Sequence, residues 1–62
     1  MKHYIDVRPK GYGHWYLEFS YNGQPYRTVT NDSQLVDKIY DANIEDDEKT
    51  INEIYEKITE NL

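Results

Sequence analysis

Two histidines, His3 and His14, and two serines, Ser20 and Ser33, are the groups from which acid–base or nucleophilic chemistry would have to be built here. Catalysis of that kind needs a nucleophile, a base and an orienting group within hydrogen-bond reach of one another. His14 and Ser20 have the same strand parity, but six residues along a strand span about 20 Å. Glu18 lies about 13 Å from His14 by the same rise. His3 reads as a surface histidine at the start of a strand. No triad can be drawn from these residues, and a core this small is not expected to enclose a pocket of several hundred Å³. The sequence predicts a protein that is not an enzyme.

Metal and cofactor chemistry fares no better. There is no cysteine, so thiolate zinc sites and disulfides are excluded, and the two histidines do not form a ligand pair at any usual spacing. Asp46, Asp47 and Glu48 are contiguous, whereas a calcium loop alternates its oxygen ligands around a central glycine. Gly11-Tyr12-Gly13 lacks the following lysine and the helix of a phosphate-binding loop. It reads as a permissive turn. No cofactor is expected, and no small-molecule substrate.

The 62 residues make one small domain, 1–62, whose core must be thin at this length. Seven tyrosines, Trp15 and Phe19 supply apolar area, each ring burying roughly 150–250 Å². No run of apolar residues suits a membrane span, and MKHYIDV lacks the apolar stretch of a signal peptide. A soluble, cytoplasmic protein is the expectation, of the kind found among bacterial or phage accessory proteins. Asn31-Asp32-Ser33 matches a glycosylation acceptor formally, but reads as a turn and helix cap.

The elements follow from periodicity. Trp15, Leu17, Phe19 and Tyr21 alternate with His14, Tyr16, Glu18 and Ser20, as in a strand with one buried face. Asn22-Gly23 then predicts a type I′ hairpin turn. A two-residue loop puts Phe19 opposite Tyr26, Leu17 opposite Thr28, and Glu18 opposite Arg27. Upstream, Ile5 and Val7 alternate with Tyr4, Asp6 and Arg8 in a first strand expected to end near Pro9, with Lys10–Gly13 turning the chain back. Beyond Thr30 the period becomes helical. Asn31, Asp32 and Ser33 offer N-caps to a short helix carrying Leu35, Val36, Ile39 and Tyr40 and ending near Ala42 and Asn43. Asp46 and Asp47 are placed to cap a second helix with an apolar stripe of Ile51, Ile54, Tyr55, Ile58 and Leu62.

The expected fold is α+β: a three-stranded antiparallel meander followed by two helices packed on one face (β-β-β-α-α). The inner face would carry Ile5, Val7, Trp15, Leu17, Phe19 and Tyr26, with Trp15, Phe19, Ile54 and Ile58 clustered under the second helix. The outer face would carry Tyr4, Asp6, Arg8, His14, Tyr16, Glu18, Arg27 and Val29.

Charge divides along the same line. Residues 1–31 have four basic and two acidic side chains, a net of +2; residues 32–62 have ten acids against three lysines, a net of −7. Tyr4, Arg8, Lys10, Tyr12, Tyr16 and Arg27 are therefore the candidate partner-binding residues, mixing aromatic and cationic types that anchor interfaces. A protein partner, or a second copy of the chain, is the favoured occupant. Asp6 and Glu18 share the face and would neutralise its arginines, and the overall charge of −5 opposes a phosphate backbone. The alternative is a nucleic-acid-binding module. In element order alone, with no motif matching residue by residue, the chain resembles the three-stranded-sheet DNA-binding domains of some phage and transposon integrases and of plant AP2 factors. A further alternative is an acidic inhibitor of phage type acting through its helices, where Asp37, Asp41, Glu45, Asp46, Asp47 and Glu48 are densest. Acids near helix N-termini also serve the helix dipole and solubility.

Overall fold

A computed structural model of the chain describes residues 3–60 and 62. It shows a three-stranded antiparallel sheet followed by two helices: β1 (Asp6–Gly11), β2 (His14–Tyr21), β3 (Gln24–Thr30), α1 (Ser33–Glu45) and α2 (Glu48–Thr59). The sheet order is β1-β2-β3. This is the α+β meander that the sequence predicts.

The β2–β3 hairpin forms because its turn, apolar pattern and charges agree on one register. Asn22 and Gly23 both take positive φ, 53° and 76°, the requirement of a type I′ turn. Phe19 pairs with Tyr26, Leu17 with Thr28 and Glu18 with Arg27. The β1–β2 turn uses the same device at Tyr12-Gly13, with φ of 56° and 77°. It is tighter than the four-residue connection expected of Lys10–Gly13.

β1 does not end at Pro9. It continues to Gly11, with Pro9 paired to Trp15 and the register shifting between Pro9 and Gly11, which leaves Lys10 as the extra residue of a β-bulge. Proline is tolerated there because β1 is an edge strand, where a missing N–H can face away from the ladder.

Asp32 is the N-cap of α1, its carboxylate accepting from the Gln34 and Leu35 amides at 3.1 Å each. The helix runs to Glu45, past the expected end at Ala42–Asn43. It stops where Asp46 turns left-handed, at φ 53°. The Asp47 N–H then donates to the Ala42 carbonyl at 2.8 Å and the Asp46 N–H to that of Asn43 at 3.3 Å, the paired closure of a Schellman motif. Asp46 thus ends the first helix, and Asp47 alone caps the second. Its carboxylate accepts from Thr50 N–H at 3.2 Å and Thr50 Oγ1 at 2.7 Å. α2 stops at Thr59, so Leu62 does not extend the stripe and is exposed.

The helices pack on one face of the sheet. Ile5, Leu17, Ile39, Ala42, Ile51 and Ile54 form the buried cluster, with Val7, Leu35, Tyr55 and Ile58 packed against it. Phe19 is also buried, 7% exposed, and meets the Tyr55 ring edge-on at 5.9 Å. Trp15 is only half-buried and stands outside that cluster. His3 is not a plain surface histidine, because its ring stacks on Tyr55 at 3.7 Å, nearly parallel.

Coverage is uneven. Ile5, just before β1, and Leu17 and Phe19 of β2 fill the interior, whereas every residue of β3 except Thr30 is exposed. Tyr26 has the inner parity and stacks on Phe19 at 6.2 Å, yet it remains 40% exposed.

Candidate functional site

The face away from the helices is set by register. Asp6 lies opposite Glu18 and Arg8 opposite Tyr16 across the β1–β2 ladder; Glu18 lies opposite Arg27 and Tyr16 opposite Val29 across β2–β3. These residues therefore share one side, since side chains directly opposite in a ladder point the same way.

Glu18 is the centre of that side. Its Oε1 accepts from Arg8 Nε at 3.1 Å, and its Oε2 from Arg27 Nε at 2.9 Å, with a second Arg27 nitrogen also at 2.9 Å. One carboxylate on the central strand thus holds one arginine from each edge strand. The side chain of Glu18 is 25% exposed, against 66% for Arg8 and 61% for Arg27. The guanidinium of Arg27 also lies over the Tyr16 ring, 4.7 Å from its centroid, within range of a cation–π contact. The result is a contiguous strip, Arg8–Glu18–Arg27–Tyr16, joined by hydrogen bonds and a cation–π contact.

Beside the strip lies an open groove of about 490 Å³, lined by Tyr4, Asp6, Glu18, Ser20, Pro25 and Arg27 among others. A concavity of several hundred Å³ does exist, then, but on the outer face of the sheet rather than in the core. A twisted sheet offers such a hollow without any loss of core packing.

Four of the six candidate residues, Tyr4, Arg8, Tyr16 and Arg27, lie on or beside this face. Tyr4 precedes β1 and lines the groove. Lys10 and Tyr12 belong elsewhere: Lys10 is the bulged residue and Tyr12 the fully exposed apex of the β1–β2 turn. That tip is held by His14, whose Nδ1 donates to the Tyr12 carbonyl at 2.9 Å. From Val7 to Leu17 the chain contains no acid, so the tip is basic and aromatic while the neighbouring strip is balanced. The sequence expectations pair Glu18 with Arg27 and set Asp6 and Glu18 together against the two arginines; the structure adds that Glu18 holds both of them.

Among the described residues no cluster of three or more potential metal ligands occurs, and no helix is long and apolar enough to cross a membrane. No protein-family model, curated protein or solved structure matches the chain.

Proposed function

We propose that this is a non-catalytic binding module that docks a protein partner through the outer face of its sheet. The observation that carries the reading is the strip in which Glu18 holds Arg8 and Arg27 while Arg27 covers Tyr16. Fixing long side chains before contact lowers the entropy that binding would otherwise cost. Arginine and tyrosine are also the types most often found at energetic centres of protein interfaces.

Charge favours protein over nucleic acid. Asp6 and Glu18 offset Arg8 and Arg27 on the face, so the phosphate contacts that dominate nucleic-acid affinity have no net positive surface to meet. A partner with interspersed charges of both signs, and an extended segment able to lie in the adjoining groove, suits this surface. The fitting role is that of an adaptor or accessory protein working inside the cell.

The test is affinity capture with the wild-type chain and Tyr16→Glu, before and after nuclease treatment, followed by direct titration of the captured protein. Tyr16→Glu places a carboxylate under Arg27 and should leave the fold intact while weakening binding at least tenfold. Capture that vanishes with nuclease would favour the basic tip and a nucleic acid. Unchanged affinity of a folded Tyr16→Glu variant would overturn the reading.

A further inference from the structure

The two edges of the sheet are treated differently. In an antiparallel ladder, pairs that exchange both backbone hydrogen bonds alternate with pairs that exchange none. The pair flanking a two-residue turn is of the bonded kind. Tyr21–Gln24 closes the Asn22-Gly23 turn, so Phe19–Tyr26, Leu17–Thr28 and Trp15–Thr30 are bonded as well. Pro25, Arg27 and Val29 then direct their backbone groups out of the sheet. By the same alternation the even-numbered residues of β2 serve β1. Along β1's edge it is therefore Ile5, Val7 and Pro9 that face outward.

The outer edge along β1 is obstructed on either side of Val7. The Ile5 carbonyl accepts from Asn43 Nδ2 of α1 at 3.1 Å, Pro9 has no N–H, and the bulge at Lys10 interrupts the strand. These are recognised ways of blunting an edge against another chain. The chain has two prolines, and each occupies an outward-facing position, one per edge. On β3, however, Pro25 guards only the first such position. Arg27 and Val29 follow with both backbone groups directed outward, in a strand exposed from Gln24 to Val29.

We propose that this open stretch of β3 pairs with β3 of a second copy, joining two sheets into one of six strands. The edge is self-complementary in one register. With Thr28 opposite Thr28 of the second copy, Arg27 meets Val29 and Val29 meets Arg27, so all four outward groups of each strand are used. Shifting one way sets Arg27 against Arg27, like charges directly opposite. Shifting the other way leaves only Val29 paired with its equivalent. In the favoured register Val29 lies along the aliphatic stem of the facing Arg27, and half-exposed Tyr26 packs beside Thr30 of the other copy. Arg27 is the only charged residue in β3, and Glu18 already neutralises it. The strands therefore approach without repulsion, and pairing doubles the outer face without covering it.

The test is sedimentation of the intact chain across micromolar to millimolar concentrations, with Val29→Pro and Tyr16→Glu run alongside. Val29→Pro removes an N–H that makes no bond within the sheet. The wild type should double in mass as concentration rises, Tyr16→Glu should do the same, and folded Val29→Pro should stay monomeric. Amide exchange on the wild type supplies an independent reading should Val29→Pro fail to fold: protection at Arg27 and Val29 should rise with concentration, and at Val7 it should not. A wild type monomeric throughout, or a folded Val29→Pro that dimerises equally, overturns the proposal. So does exchange at Arg27 and Val29 that ignores concentration. Loss of the dimer in Tyr16→Glu would place the contact on the outer face instead.

Discussion

The phenol of Tyr55 on α2 donates a 2.6 Å hydrogen bond to the backbone carbonyl of Ser20 on β2. By strand alternation Ser20 faces the β1 side of the sheet, just beyond the start of that strand at Asp6 opposite Glu18. Tyr55 donates to it while its ring stacks on His3 and meets Phe19 edge-on. One side chain thereby ties the second helix to the central strand. Removing only the hydroxyl, in Tyr55→Phe, keeps both ring contacts and should cost about 1 kcal/mol. For a domain of this size that corresponds to a melting temperature lower by roughly 4–8 °C. Thermal and urea unfolding followed by circular dichroism would measure it, and an unchanged midpoint would show that water serves the carbonyl equally well.

The same residue marks where sequence reading stops. Tyr55 falls on the apolar stripe of α2 by spacing alone, but its contacts with Ser20 and His3 lie more than thirty residues away in sequence. Periodicity does not encode such pairings. The Asn22-Gly23 hairpin was legible because turn chemistry and a cross-strand charge pair act over a few residues. Arg8 joining Glu18 was not, because the β1 register depends on a bulge at Lys10 that no local signal announces. The end of α1 was misplaced for a related reason. The expected end near Ala42 and Asn43 falls inside the helix: Asn43 donates its side-chain amide to the Ile5 carbonyl, and Asp46 takes the left-handed position. Of the candidate site, strand parity locates Arg8, Tyr16 and Arg27 on the outer face, while Lys10 and Tyr12, which the sequence assigns to the connecting turn, fall at the bulge and at the turn apex.

Tyr12 holds a conformation its side chain disfavours. Its φ is 56°, in the left-handed region where a bulky residue is strained and asparagine is well tolerated. It is fully exposed, so no packing compensates. Tyr12→Asn would give this turn the same Asn-Gly pair as the β2–β3 hairpin, and should stabilise the fold by about 0.5–1 kcal/mol. A rise of several degrees in melting temperature is the expected outcome. Equal or lower stability would mean that the Tyr12 ring makes a contact worth more than the strain.

Asp47 gives the fold an acid-sensitive element. The hydroxyl of Thr50, and secondly its backbone N–H, hold the Asp47 carboxylate below its usual range; nearby Lys49 acts in the same direction. A carboxylate with a lowered folded pKa binds its proton more readily when unfolded. Its contribution is therefore complete above the unfolded value and is lost as the pH falls through about 4 toward the lower folded value. Asp47→Asn keeps an N-cap acceptor and removes the titration. Stability curves of the two proteins should separate near neutral pH and converge on acidification. Parallel curves down to the acid limit would show that Asp47 is not a source of the dependence.

Glu18 separates the stability of the strip from its use. Both arginines it holds are largely exposed, and solvent screens such pairs strongly, so the network should contribute no more than about 1 kcal/mol. Glu18→Gln keeps the side-chain shape and one acceptor oxygen but removes the charge. The variant should fold with nearly the stability of the parent, and the small difference should shrink as salt is added. Its outer face, however, passes from balanced to positive, with Arg8 and Arg27 no longer sharing a counter-charge. Affinity for the protein partner should fall because the arginines lose their fixed positions, while weak, salt-sensitive binding to nucleic acid should emerge. Measuring both affinities on the same preparation checks the role directly. If partner affinity rises together with nucleic-acid affinity, Glu18 acts as a brake on a cationic surface rather than as the group that orders it.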